Sequence, residues 1–198
     1  YNDPDSSRTL GKTAAALARS KKLDRMEAKA FNLLGACSQV NGDYLNAIDQ
    51  YQQALSIGER VKDNNIIMAA LGNIGSLYIN LGRSALALEY QLKSLDLALK
   101  TNKVEMLSSI YNNLCLIYHD LGDNEKALEY GLKSESYCRQ VNDETALSSA
   151  LGNIGNAYNG LKQYDKALEY YEKCLKQAEK IGNPFETSKV TLEMAEIY

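Results

Sequence analysis

The chain repeats itself every 40 residues, and that period limits what it can fold into. Gly42, Gly82 and Gly122 fall on one such spacing, and Ala47, Ala87, Ala127 and Ala167 on another. Tyr78, Tyr118, Tyr158 and Tyr198 share a third, and Asn73, Asn113 and Asn153 a fourth. Self-similarity at a fixed period of this size marks a repeat array, not a closed globule. An array of short repeats offers a long surface to a partner and seldom encloses a pocket for chemistry.

Each repeat reads as two helices. Leu71, Ile74, Gly75 and Tyr78 stand at i, i+3, i+4 and i+7, on one helical face. The same slots recur as Tyr111, Leu114, Cys115, Tyr118 and as Leu151, Ile154, Gly155, Tyr158, and less well as Phe31, Leu34, Gly35, Ser38. A break follows each copy: Asn41-Gly42-Asp43, Leu81-Gly82-Arg83, Leu121-Gly122-Asp123 and Leu161-Lys162-Gln163. Glycine just past the last turn takes the left-handed conformation that ends a helix. The next segments are again helical, as in Ala87, Gln91, Ser94, Leu95, Ala98, and no stretch shows the alternation of a strand.

These slots resemble the tetratricopeptide repeat (TPR), most fully in Leu151, Ile154, Gly155, Tyr158, Ala167, Tyr171 and Cys174. The resemblance covers nearly the whole chain and implies an all-α fold, a right-handed α-solenoid of antiparallel helix pairs (a TPR superhelix). The period is longer than the common TPR length, and a closing proline is absent except for Pro184. Long-period arrays of this kind look like bacterial peptide-sensing regulators of the Rap type, polarity adaptors of the Pins type and the sensor portions of bacterial signalling proteins.

The period divides residues 1–198 as one array: a lone leading helix over 5–24, repeats over 25–64, 65–104, 105–144 and 145–184, and a truncated fifth over 185–198. Asp3, Pro4, Asp5 and Ser6 supply a helix start. The last slots, Val190, Met194, Ala195 and Tyr198, end without a polar capping helix, so a piece of a longer protein is expected. Gly35, Gly75, Cys115 and Gly155 are expected where paired helices cross, with the Ala47 column answering from the second helix. In repeats 2 and 3, Gln91 and Gly131 replace Tyr51 and Tyr171, and Leu92 and Leu132 suggest that the bulky residue has moved one position along. Gly131 costs about 1 kcal/mol in a helix interior, so the softest point is expected there.

Composition removes several function classes. Lys and Arg number 22 against 25 Asp and Glu, a formal charge of -3, which gives no basic footprint for nucleic acid. The cluster Arg19, Lys21, Lys22, Arg25 suits the end of a helix better than an anion site. No membrane contact or signal peptide is read in this segment. A cytoplasmic setting is favoured, with an exported sensor domain of a membrane-bound regulator as the other reading. Cys37, Cys115, Cys138 and Cys174 occupy small apolar slots of the repeat, so neither a metal nor a disulfide is expected. His119 is the only histidine and has no nucleophile or carboxylate pair beside it, so no catalysis and no cofactor are expected.

The resemblance makes the first helices line the concave surface, where the asparagine column becomes the candidate site. A carboxamide offers a donor and an acceptor, so it can pair with a peptide unit whatever the side chain. Asn73, Asn113 and Asn153 are the candidates for backbone contact, with His119 and Asn156 reading side chains and Asn32, Asn112, Ser76 and Asn159 beside them. The inner slots Asn32, Ala36, Ser109 and Asn113 hold no cation, unlike TPR proteins that clamp acidic C-termini. The expected partner is a protein or peptide segment, with this array as the sensing or adaptor part of a larger signalling protein. The competing reading is a scaffold that self-associates, as a homo-oligomer through the uncapped C-terminal end, with asparagines that only bond neighbouring helices.

Overall fold

The computed structural model describes residues 4–197, with side chains from residue 8 onward. The capping read at Asp3, Asp5 and Ser6 and the repeat slot of Tyr198 fall outside that description. Ten helices account for nearly all of the described residues. They are α1 (Pro4–Ser20), α2 (Asp24–Val40), α3 (Tyr44–Val61), α4 (Asn64–Asn80), α5 (Ser84–Lys100), α6 (Val104–Asp120), α7 (Asn124–Val141), α8 (Glu144–Gly160), α9 (Tyr164–Ile181) and α10 (Pro184–Ala195). The chain forms two compact units, residues 1–101 and 102–198.

The turns explain the period. Left-handed φ angles fall at Lys22, Gly42, Lys62, Gly82, Asn102, Gly122, Asn142, Lys162 and Gly182, one every half repeat. A single left-handed residue closes each of the first nine helices, and a loop that short forces the next helix back along the last. Aspartate or asparagine then restarts many of them: Asp43, Asp63, Asp123, Asp143 and Asn183 each accept a first-turn N–H.

In the first unit each helix packs on the next, and α2 also touches α4. The second unit repeats this arrangement, with α6 against α8 and α8 against α10. Side chains fill the pairs by a rule of complementary size. Tyr51 lies across Gly35, where an added methyl would sit 2.5 Å from the ring, and Tyr171 covers Gly155 in the same way. Gln91, fully buried, lies against Gly75, while Cys115 faces Gly131. The nearest neighbours of the crossing glycines come from the tyrosine slot, with the alanine column packed beside it, as Ala47 with Tyr51 and Ala127 with Cys115. Within this rule the expected shift of bulk to Leu92 and Leu132 is corrected: both point outward, 39% and 40% exposed.

Gly131 is a close approach, with Ile154 Cγ1 2.8 Å from where a methyl would stand. The other slots serve the packing. Ser134 Oγ donates to the Ser108 carbonyl at 2.8 Å and Cys174 Sγ to the Ser148 carbonyl at 3.1 Å, tying second helix to first. The tyrosine column stacks on the second helix as Tyr78–Tyr90, Tyr118–Tyr130 and Tyr158–Tyr170, with ring centres 5.4–5.6 Å apart. Lys93, Lys133 and Lys173 lie over the outer rings. Three cysteines are buried as expected, but Cys37 is only half-buried.

Candidate functional site

Helix contacts decide which face of each unit can receive a partner. In the second unit α6, α8 and α10 stand side by side, whereas α7 and α9 make no contact with each other among the described residues. The first helices crowd together and the second helices splay, so the first helices form the inner side of that unit. The first unit follows suit, with α2 on α4 and no contact between α3 and α5 among the described residues.

The candidate residues stand on these first helices. Asn32 is on α2 and Asn73 and Ser76 on α4, all half-buried, in the first unit. Asn32 Oδ1 is buried and makes no hydrogen bond. Asn112, Asn113, His119, Asn153, Asn156 and Asn159 belong to α6 and α8 in the second unit. All of these are half-buried except Asn153, which is only 4% exposed.

Asn153 owes that burial to a partner. Its Nδ2 donates to Asn112 Oδ1 at 2.8 Å, bridging α8 and α6. The bond fixes the Asn112 amide and leaves its own NH2 as a donor. Asn156 is held from the other side, because the Tyr171 hydroxyl donates to its Oδ1 at 2.7 Å. Tyr171 reaches that position only by lying across Gly155, and burial raises its phenol well above the ordinary tyrosine range. Tyr51 does the same in the first unit, donating to Gln39 Oε1 at 3.0 Å, with burial pushing its phenol up to about 12. His119 Nδ1 lies 2.8 Å from Asn124 Oδ1 at the start of α7. Since Oδ1 can only accept, Nδ1 donates in this contact and Nε2 is left for a further hydrogen bond. The α8 end closes on the same corner, where Gly160 packs directly on the Asn124 side chain.

Sequence reasoning missed Tyr171 and Asn124, which bond the candidate residues Asn156 and His119. The signal for Tyr171 is a second-helix tyrosine opposite a first-helix glycine, which allows the hydroxyl to cross to the inner side. The two arginines of the basic cluster near α1 are paired with acids: Arg19 with buried Glu27 at 2.7 Å and Arg25 with Asp63 at 2.9 Å. No group of three metal-ligating side chains occurs among the described residues, and no helix there is long and apolar enough to cross a membrane.

A family model described as tetratricopeptide repeat matches residues 26–100 and 106–180. Protein FLUORESCENT IN BLUE LIGHT, chloroplastic, from Arabidopsis thaliana is 36% identical over 80 residues, 40% of this chain and 25% of that protein. The chain thus spans about a quarter of the length of that curated relative. Among solved structures, BtubC (BKLC) from P. vanneervenii superposes with a TM-score of 0.84 at 19% identity, covering 100% of this chain and 84% of that one. A Rap protein in complex with competence and sporulation factor reaches 0.73 at 14% identity, covering 96% of this chain and 59% of the other. At these identities the likeness to solved structures is one of fold.

Proposed function

The chain belongs to the tetratricopeptide repeat family, and from that membership we propose that it holds an extended protein or peptide segment along its first helices, as the sensing or adaptor part of a larger signalling protein. One observation carries the reading. In the second unit Asn112, Asn156 and His119 each have one polar atom fixed by a protein partner and another to spare. What remains is two amide NH2 donors and one imidazole nitrogen, which suits the polar groups of a peptide backbone. Groups fixed in advance lose little freedom on binding, which favours affinity. Asn153 is assigned the role of positioning Asn112, and the half-buried Asn113 and Asn159 stay as candidates for neighbouring contacts. The Rap protein solved with competence and sporulation factor supports such a role by fold alone. No catalytic step is proposed.

The test is a peptide-display selection on the chain, followed by affinities of one selected peptide for the wild type, Asn112→Ala and Asn156→Ala. Loss of one net hydrogen bond near 1.4 kcal/mol weakens binding about tenfold. That loss is expected in each variant with thermal midpoints nearly unchanged. Equal affinity in both variants, or no selectable peptide, contradicts the proposal.

A further inference from the structure

The first repeat departs from the others on the side of its second helix. In repeats 2 to 4 a tyrosine pair stacks between first and second helix, with a lysine over the outer ring. The matching positions of repeat 1 are Ser38, Gln50 and Gln53. Ser38 Oγ donates instead to Gln50 Oε1 at 2.9 Å, and both residues are buried. Beside Gln53 a cavity of about 590 Å³ opens, with walls from α1, α2 and α3 of the first unit. Helices α1 and α3 make no contact with each other among the described residues, so α2 forms the floor between them. A cavity of this volume holds a small molecule or one end of a larger one.

A second departure lies in that floor. Glu27 is only 5% exposed, yet its slot holds the aliphatic Ile67, Leu107 and Leu147 in the following repeats. Burying a carboxylate is costly unless it is paired, and an aliphatic residue would serve the packing better. What Glu27 does is hold Arg19. Arg19 donates through Nε to Glu27 Oε1 at 2.7 Å, and its guanidinium lies over the Phe31 ring, 5.9 Å from the centre. A guanidinium gripped by Nε keeps its two terminal NH2 groups for another acceptor. Arg60 closes the other side, bonded by one Nη to Asp24 at 2.9 Å.

We propose that this cavity is a binding site for a carboxylate attached to an apolar group, either a free organic acid or the last residue of a peptide. Charge sets the class. Three cations line the cavity, Arg19, Lys22 and Arg60, against two acids, Asp24 and Glu27. Each acid is taken by an arginine, so Lys22 is the surplus charge and one anionic group balances it. A phosphate carries nearly a second charge, which the two carboxylates oppose. The apolar part of the ligand rests on Phe31 and Ile57, and Gln53 and Ser56 offer it polar contacts. Glu27 is a positioning residue in this arrangement, acting through Arg19. The helix-end run Arg19, Lys21, Lys22, Arg25 is not the site by itself; Arg19 and Lys22 join Arg60 of the next second helix.

This site is independent of peptide binding along the first helices, since it shares no residue with the amides there. The experiment is an NMR titration of the 198-residue chain with phenylpropionate, its primary amide, phenyl phosphate and a tripeptide ending in phenylalanine with a free carboxylate. Phenylpropionate or the tripeptide should shift the Arg19 Nε–H signal and the backbone signals around the cavity to saturation. The amide should not, and phenyl phosphate should bind more weakly. Saturation by both carboxylates supports recognition of the free acid, and saturation by the tripeptide alone supports recognition of a chain terminus. Arg19→Gln and Glu27→Leu should each weaken the carboxylate about tenfold or more. Glu27→Leu restores the aliphatic residue of the other repeats, so a thermal melt should find that variant folded. No saturable response to either carboxylate, an equal response to the amide, tighter binding of phenyl phosphate, or unchanged affinity in either variant overturns the proposal.

Discussion

Tyr171 against Gly155 shows how far one residue can be read from sequence and where such reading fails. The repeat names both slots, and a glycine opposite an aromatic is in itself the pattern of a close crossing. What the pattern cannot give is the outcome of a substitution in one slot. Leu92 beside Gln91 looks like displaced bulk, yet one position along a helix turns the side chain by about 100°, and Leu92 faces out. Repeat 3 adjusts the facing residue instead, with Cys115 and Ile154 closing on Gly131. Two substitutions test the rule from opposite sides. Gly155→Ala forces a methyl into the Tyr171 ring and should lower stability by about 1–3 kcal/mol in urea unfolding. Gln91→Tyr restores the tyrosine–glycine pair over Gly75 and removes a buried Gln91 Oε1 that makes no hydrogen bond. It should raise stability by about 0.5–2 kcal/mol, and a loss of that size would show that repeats 2 and 4 pack differently.

Elements were the most legible level. Helix periodicity and turn glycines point to the paired helices, because a helix end is encoded locally in a cap and one left-handed residue. The exception to the glycine column is informative. Lys162 adopts φ +59° where Gly42, Gly82 and Gly122 stand in the first three repeats. A left-handed non-glycine residue costs roughly 1–2 kcal/mol, part of which the greater unfolded freedom of glycine would cancel, so Lys162→Gly should gain about 0.5–1 kcal/mol. A lower urea midpoint in that variant would argue against strain at the turn. Between elements the sequence was less explicit. The asparagine column is visible at once, but not that Asn153 bonds to Asn112, since that contact joins α6 to α8 across a whole intervening helix. The candidate site was thus legible as a set of amides, while its division into presenting and positioning members was not.

For the molecule as a whole, burial of thiols and phenols sets an alkaline limit. Cys115 is pushed up to about 12 and Cys174 to about 11 from 9.0, and Tyr51 to about 12 from 10.0, chiefly by desolvation. In the unfolded chain these groups lose protons near their ordinary values of about 8.5 and 10. Above about pH 9 the unfolded state therefore binds fewer protons than the folded one, and stability falls as pH rises toward 12. Urea midpoints should be flat below that window and decline through it; a midpoint independent of pH between about 8 and 11 would contradict the burial of these groups.

If the first-helix face holds an extended segment by amides fixed in advance, those amides must sense the segment when it arrives. An NMR titration of the chain with a selected peptide, following the side-chain amide resonances of α6 and α8, reads this without intermediaries. The Asn112 and Asn156 side-chain N–H signals should move on binding, with the His119 ring shifting beside them. Shifts confined to the outer helices α7 and α9, with those amides unmoved, would contradict such a mode of binding.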